Sequence, residues 1–165
     1  MARLDDFNDE PAERATESLR ACNAAPRFVA EVLAGRPYAD ADALVDRAQE
    51  VARSLTWDEV SVALAAHPRI GDRPSGSSAE AQASRREQSS MTDADAATRS
   101  ALGMSNRAYE DRFGHVFLIR AAGRSPEEML AELRRRLAND AEAERAEATE
   151  QLAQITGLRV RGLVT

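Results

Sequence analysis

The sequence predicts an all-α fold, a single-domain helical bundle. Three observations carry that expectation. Helix-start and helix-stop residues recur along the chain, apolar residues between them repeat at helical spacing, and only the run Val116 to Ile119 has β-like character. A run that short makes no sheet alone. The 165 residues suffice for one substantial core, and 43% hydrophobic with 30% charged residues describes a folded chain. No internal repeat or domain linker is visible.

The elements follow from their punctuation. Cys22 reads as a buried small hydrophobe near a helix end. Pro26 suits a first helical position, with Phe28, Val29, Val32 and Leu33 on one face. Gly35 then offers a left-handed cap, and Pro37 blocks continuation. From about Asp40, Leu44, Val45, Ala48, Val51 and Leu55 keep a helical stripe. Thr56-Trp57-Asp58-Glu59 reads as a capping box, and its helix should stop at Ala66 because His67 precedes Pro68.

Next comes a polar stretch, Arg69 to Ser90, containing the Gly71 to Ser78 loop. Loops this long in compact domains are mobile or functional. Ala79 to Ser90 permits a helix but nearly lacks large apolar residues, and a helix without a core face makes little sense unless its polar face meets something else. Ser125-Pro126-Glu127-Glu128 is a second capping box, followed by Met129, Leu130, Leu133 and Leu137. Asn139-Asp140-Ala141-Glu142 opens a last helix through Leu152 and Ile155, which Gly157 should interrupt before an Arg159-Val160-Arg161 tail. The charged run Arg134 to Glu150 reads as a solvated helix face without a role.

Composition excludes several function classes. All 22 basic residues are arginine, which removes lysine Schiff bases, lysine general bases and a Walker A loop. A net charge of −6 without a basic block argues against nucleic-acid binding. One cysteine and two histidines cannot form an internal disulfide or a Cys/His zinc site. No apolar run approaches the ~18 residues of a membrane span, and the charged start Met-Ala-Arg-Leu-Asp-Asp does not resemble a secretion signal. The expected location is cytoplasmic.

Two groups of side chains could carry chemistry. His67 lies at a helix end, fixed by Pro68, before a Gly/Pro-rich loop; it is a proton-transfer group or a charged helix cap. Ser84, Glu87 and Gln88 fall at i, i+3 and i+4, so a hydroxyl, a carboxylate and a carboxamide share one helix face that could orient an amide- or urea-rich ligand. Arg85 and Arg86 point elsewhere, and the whole face could equally be solvated. Arg159 or Arg161 could grip a carboxylate or form a tail ion pair. His115 reads as a surface or capping histidine.

His67-Pro68-Arg69-Ile70-Gly71-Asp72 followed by Ser84-x-x-Glu87-Gln88 closely resembles the motif pair of the OHCU decarboxylase family. The resemblance continues through Tyr109-x-x-Arg112-Phe113-Gly114, Phe117 to Arg124, and the Asn139 to Leu163 segment, so it spans nearly the whole chain. It implies an all-α enzyme that decarboxylates 2-oxo-4-hydroxy-4-carboxy-5-ureidoimidazoline (OHCU) to (S)-allantoin without metal or organic cofactor. Carried over by position, His67 would be the proton donor and Pro68 a pocket wall. The segment Ser84, Arg85, Arg86, Glu87 and Gln88 would bind substrate, with Glu87 at the reacting end. Ile119, Arg120, Ala121, Ala122 and Gly123 would bind through backbone groups, and Arg161 would lie at the pocket edge, with Arg159 its near neighbour. The resemblance also implies a homodimer. The competing readings are an inactive family member serving as a helical binding module and a metal-assisted hydrolase using His67 and Glu87.

Overall fold

The computed structural model describes residues 3–70 and 79–165, so the Gly71 to Ser78 loop lies outside the described residues. Those residues contain nine α-helices, one 3-10 helix (Ser89–Asp93) and no strand. The helices are α1 (Arg3–Asp9), α2 (Ala12–Cys22), α3 (Pro26–Ala34), α4 (Ala41–Ser54), α5 (Trp57–Leu64), α6 (Ala79–Glu87), α7 (Ala96–Phe113), α8 (Pro126–Arg136) and α9 (Ala141–Val164). The all-α expectation holds. The chain gathers into two compact units, Met1–Ala63 with Leu152–Thr165, and Leu64–Gln151.

The first unit is built on α2, α3 and α4 packed in succession. Leu19, Phe28, Val32, Leu44, Val60, Leu152 and Val160 are fully buried, each contributing roughly 1.5–3 kcal/mol by leaving water. Cys22 closes α2 as a buried residue whose Sγ donates to Ser18 O. Asp40 caps α4 by accepting from Ala43 N at 2.7 Å. The Thr56–Glu59 box forms in both directions, Thr56 N to Glu59 Oε1 at 2.8 Å and Glu59 N to Thr56 Oγ1 at 3.3 Å. Arg27 also grips the Glu59 carboxylate, Nε to Oε2 at 2.8 Å.

Two glycines depart, one in part, from expectation. Gly35 is the C-cap of α3, as expected, but not a left-handed one; its φ is −79°. The Tyr38 ring lies against it, with Oη 2.2 Å from where a Cβ would stand, while that hydroxyl donates to Val32 O at 2.6 Å. Gly157 does not interrupt α9, which runs unbroken from Ala141 to Val164. A glycine inside a helix costs only about 0.5–1 kcal/mol, and here the Gln49 side chain occupies the Cβ position, Nε2 at 2.3 Å. Both residues are selected by close approach.

The second unit centres on α7 and α8. Asp95 caps α7 by accepting from Thr98 N, and Gly114 ends it with φ +79° and its N–H on Glu110 O. Ser125 caps α8 and Pro126 takes its first position. Ile70, Met91, Leu102, Tyr109, Phe117, Ile119, Met129 and Leu133 form one apolar cluster. Val116 to Ile119 belongs to no strand. Part of its backbone bonding comes instead from a side chain, with Arg136 Nη1 donating to Leu118 O at 2.7 Å. The expected solvated face of Arg134 to Glu150 is corrected at two positions: Arg136 is 1% and Glu144 0% exposed.

Two outcomes follow for the first unit. Gly35→Ala keeps an allowed backbone angle yet should lower stability by about 1–2 kcal/mol in urea unfolding, because the methyl displaces the Tyr38 ring and its hydrogen bond. In a Tyr38→Ala background that loss should vanish. Glu59 is pushed down to about 2, first by the Arg27 hydrogen bond and then by the Thr56 amide. A depressed carboxyl stabilises above its unfolded value of about 4.3 and loses that contribution as pH falls through its folded value. The stability gap between wild type and Glu59→Gln should therefore be constant above about pH 5 and close as pH falls towards 2.

Candidate active site

His67 lies three residues beyond the end of α5, with its N–H on Leu64 O at 3.0 Å. It is buried at 9% exposure, and Pro68 is half-buried. The helix stops slightly earlier than the sequence suggested, leaving Ala65 and Ala66 in a turn. The next two residues are gripped by α7. Arg69 Nε donates to both Glu110 carboxylate oxygens, at 2.9 and 3.0 Å, and buried Asn106 Nδ2 donates to Ile70 O at 3.0 Å. Asn106 and Glu110 are one helical turn apart, so a single face of α7 holds the segment. Sequence reasoning missed both. Their i, i+4 spacing beside apolar Leu102 and Tyr109 was the available signal.

Helix α6 divides as its spacing requires. Ser84 is buried, Glu87 and Gln88 are half-buried, and Arg85 and Arg86 are exposed. Its inward face is made by Ala81, Ala83 and Ser84. Small residues let this helix lie close without large apolar side chains. The 3-10 helix that follows ties back through Ser90 Oγ, which donates to Arg124 O at 3.0 Å.

The segment Ile119 to Gly123 forms a tight turn whose carbonyls are largely satisfied. Arg124 N–H donates to Ala121 O at 3.1 Å, Arg124 Nε to Arg120 O at 2.9 Å, and Arg120 Nη1 to Ala122 O at 2.7 Å. Arg120 N–H is taken by Gln151 Oε1 at 2.8 Å. Gly123 has φ +80°, which a side chain would strain. Among the described residues no acceptor takes the amides of Ala121, Ala122 or Gly123. A row of uncommitted amides can receive carbonyl or carboxylate oxygens from a ligand.

These three segments share one foundation. Ile70 from the His67 segment, Met91 from the end of the α6 region, and Ile119 and Ala121 from the turn all enter the same apolar cluster. Arg161 belongs to the other unit, where Nη2 pairs with Asp42 Oδ1 at 2.8 Å; Arg159 there is buried, donating to Ala21 O. His115, expected at the surface, is half-buried with its ring edge-on to Tyr109 at 5.5 Å. A cleft of about 360 Å³ lies beside the motif, lined by residues including Arg69, Ile70, Arg99, Asn106 and Arg107, with His67 and Glu87 outside its lining. Among the described residues no group of three His, Cys, Asp or Glu side chains could hold a metal ion.

The grip of α7 on the motif has unequal parts. Asn106→Ala should lower stability by about 1–3 kcal/mol because a buried carbonyl loses its donor. Arg69→Ala, at an exposed ion pair, should stay within about 1 kcal/mol. Urea unfolding of the two variants checks the order.

The OHCU decarboxylase family model matches residues 8–161. The chain is 31% identical over 141 residues to 2-oxo-4-hydroxy-4-carboxy-5-ureidoimidazoline decarboxylase of Amia calva, covering 84% of this chain and 81% of that protein. It is 30% identical over 153 residues to the uric acid degradation bifunctional protein TTL of Arabidopsis thaliana, covering 87% of this chain but only 45% of that longer protein. A crystal structure of OHCU decarboxylase in the presence of (S)-allantoin superposes with a TM-score of 0.75 at 26% identity, covering 89% of this chain and 96% of the other. A structure of (S)-allantoin synthase shares the fold, with a TM-score of 0.70 at 18% identity over 98% of this chain and 54% of that one. With its motif residues in place and nearly its full length matched, the chain belongs to the OHCU decarboxylase family.

Proposed function

We propose that this chain converts OHCU to (S)-allantoin and carbon dioxide, the last step from urate to allantoin, with His67 as proton donor and Glu87 orienting the reacting end. The observation that carries the reading is the shared foundation of the His67 segment, the Glu87 region and the amide-bearing turn at Ile119 to Gly123 in one cluster. Ser84, Glu87 and Gln88 present one polar face to the substrate, and Pro68 forms a wall beside His67. Arg85, Arg86 and Arg120 border the site.

The chemistry needs little beyond these groups. Loss of carbon dioxide from the carboxylate-bearing ring carbon leaves an electron pair that forms a new carbon–carbon double bond, and the displaced imine pair settles on the ring nitrogen, which takes up a proton from water. Proton delivery to the ureido-bearing carbon from one face, with loss of the neighbouring hydroxyl proton, then yields allantoin as a single enantiomer. Because the substrate is its own electron sink, a pyridoxal or thiamine group has no task here, and the protein must hold one conformer and place one proton. Glu87 fixes the substrate hydroxyl or the His67 ring, and the amides of Ala121, Ala122 and Gly123 receive carbonyl oxygens.

The same reading makes the chain a cytoplasmic homodimer. No helix among the described residues is long and apolar enough to cross a membrane, and Val62, Met104 and Leu158 leave apolar surface exposed. Sedimentation should give twice the 18.0 kDa chain mass.

Carbon dioxide release from fresh OHCU tests the roles. His67→Ala and Glu87→Ala should each lose about 10²–10⁴-fold in turnover while keeping the wild-type helical signal. A fully active His67→Ala protein would refute the assignment, and a folded wild type without activity would favour the helical binding module.

A further inference from the structure

We propose that Arg136 and Glu144 are positioning residues whose buried pair, braced by Tyr109, sets the course of the backbone from Leu118 to Gly123. The structural part stands on the hydrogen bonds below; the role towards substrate rests on the decarboxylase reading.

Arg136 ends α8 and Glu144 lies in the first turn of α9, and neither reaches water. Arg136 Nε reaches both Glu144 oxygens at 3.0 Å, and Nη2 adds a further bond to Oε2. The remaining terminal nitrogen, Nη1, donates to Leu118 O at 2.7 Å. The guanidinium also lies over Phe117, 4.5 Å from the ring centroid. One planar group thus fixes a carboxylate on one side and a loop carbonyl on another, which a lysine ammonium cannot do with the same geometry. Glu144 is held in turn by the Tyr109 hydroxyl and by Asn139 Nδ2 at 3.2 Å. Its acceptor positions are filled, so the carboxylate has no freedom to swing.

The consequence falls on the turn. Leu118 O is fixed from α8, and Arg120 N–H two residues on is fixed by Gln151 of α9. Those two anchors bracket Ile119 and dictate the direction in which the amides of Ala121, Ala122 and Gly123 emerge. An apolar filling of equal volume would hold α8 and α9 together at least as well. It would give Leu118 O no donor. The charge pair therefore supplies direction to a loop that contains no helix or strand of its own.

The test compares Arg136→Lys and Tyr109→Phe with Leu130→Ala, a core truncation in the same cluster and helix. For each, KM and kcat for OHCU are measured well below the unfolding temperature, together with backbone ¹⁵N order parameters at Leu118 to Gly123. Arg136→Lys should raise KM about 10–100-fold with kcat changed far less, and the order parameters should fall from about 0.85 towards 0.6. Tyr109→Phe should shift both measures in the same direction, and Leu130→Ala should move neither despite its lower stability. Unchanged KM and order parameters in folded Arg136→Lys, or an equal KM rise in Leu130→Ala, overturn the proposal while an active wild type keeps the decarboxylase reading. An inactive wild type overturns that reading and the role towards substrate together, and the order parameters then judge the structural part alone.

Discussion

A charge pair that water does not reach organises the second unit of this protein. Arg136 sits at the C-terminal end of α8 and Glu144 at the N-terminal end of α9, so each charge meets the favourable end of its own helix as well as its partner. The connection between the helices spans only residues 137–140, which keeps the pair short. Isolating either charge in the interior would cost about 3–5 kcal/mol. Tyr109 adds α7 to the same network, and burial followed by the Glu144 hydrogen bond drives its phenol well above the ordinary range, so it remains a donor. Three helices and one loop are thereby fixed by a handful of polar atoms.

The candidate site is an application of that rigidity. The segments at His67 and at Ile119 to Gly123 have no regular ladder of their own, and α6, which has one, is tied in through the 3-10 helix that follows it. The His67 segment is gripped by Asn106 and Glu110 of α7, the α6 region is tied through Ser90 to Arg124, and the turn at Ile119 to Gly123 hangs from Arg136 and Gln151. A decarboxylation in which the substrate accepts its own electron pair asks for this kind of support. The chemical demand is placement of a ring, a carboxylate and a proton, and rigid elements hold short irregular segments to that placement.

Much of this was legible in the sequence because local chemistry decided it. Capping boxes at Thr56 and Ser125 gave helix starts that the structure keeps, and the Ser84, Glu87, Gln88 spacing separates these buried or half-buried residues from exposed Arg85 and Arg86. What local chemistry does not encode was misread. Gly157 was taken as a break and Gly35 as a left-handed cap, whereas close approach of Gln49, from another helix, and of Tyr38 explains them. Arg136 and Glu144 looked like members of a solvated charged run, although Glu144 continues the buried row Ala148, Leu152 and Ile155 at helical spacing. A periodic row read through its charge would have found it.

The handedness of the allantoin formed from freshly generated OHCU, followed by circular dichroism, tests the central claim most directly. Uncatalysed decay gives a racemate and no net signal. The account predicts a rapid (S) signal whose rate scales with the amount of protein, since the proton is delivered from one fixed side. Allantoin appearing only at the spontaneous rate and without optical activity, in the presence of folded protein, would contradict it.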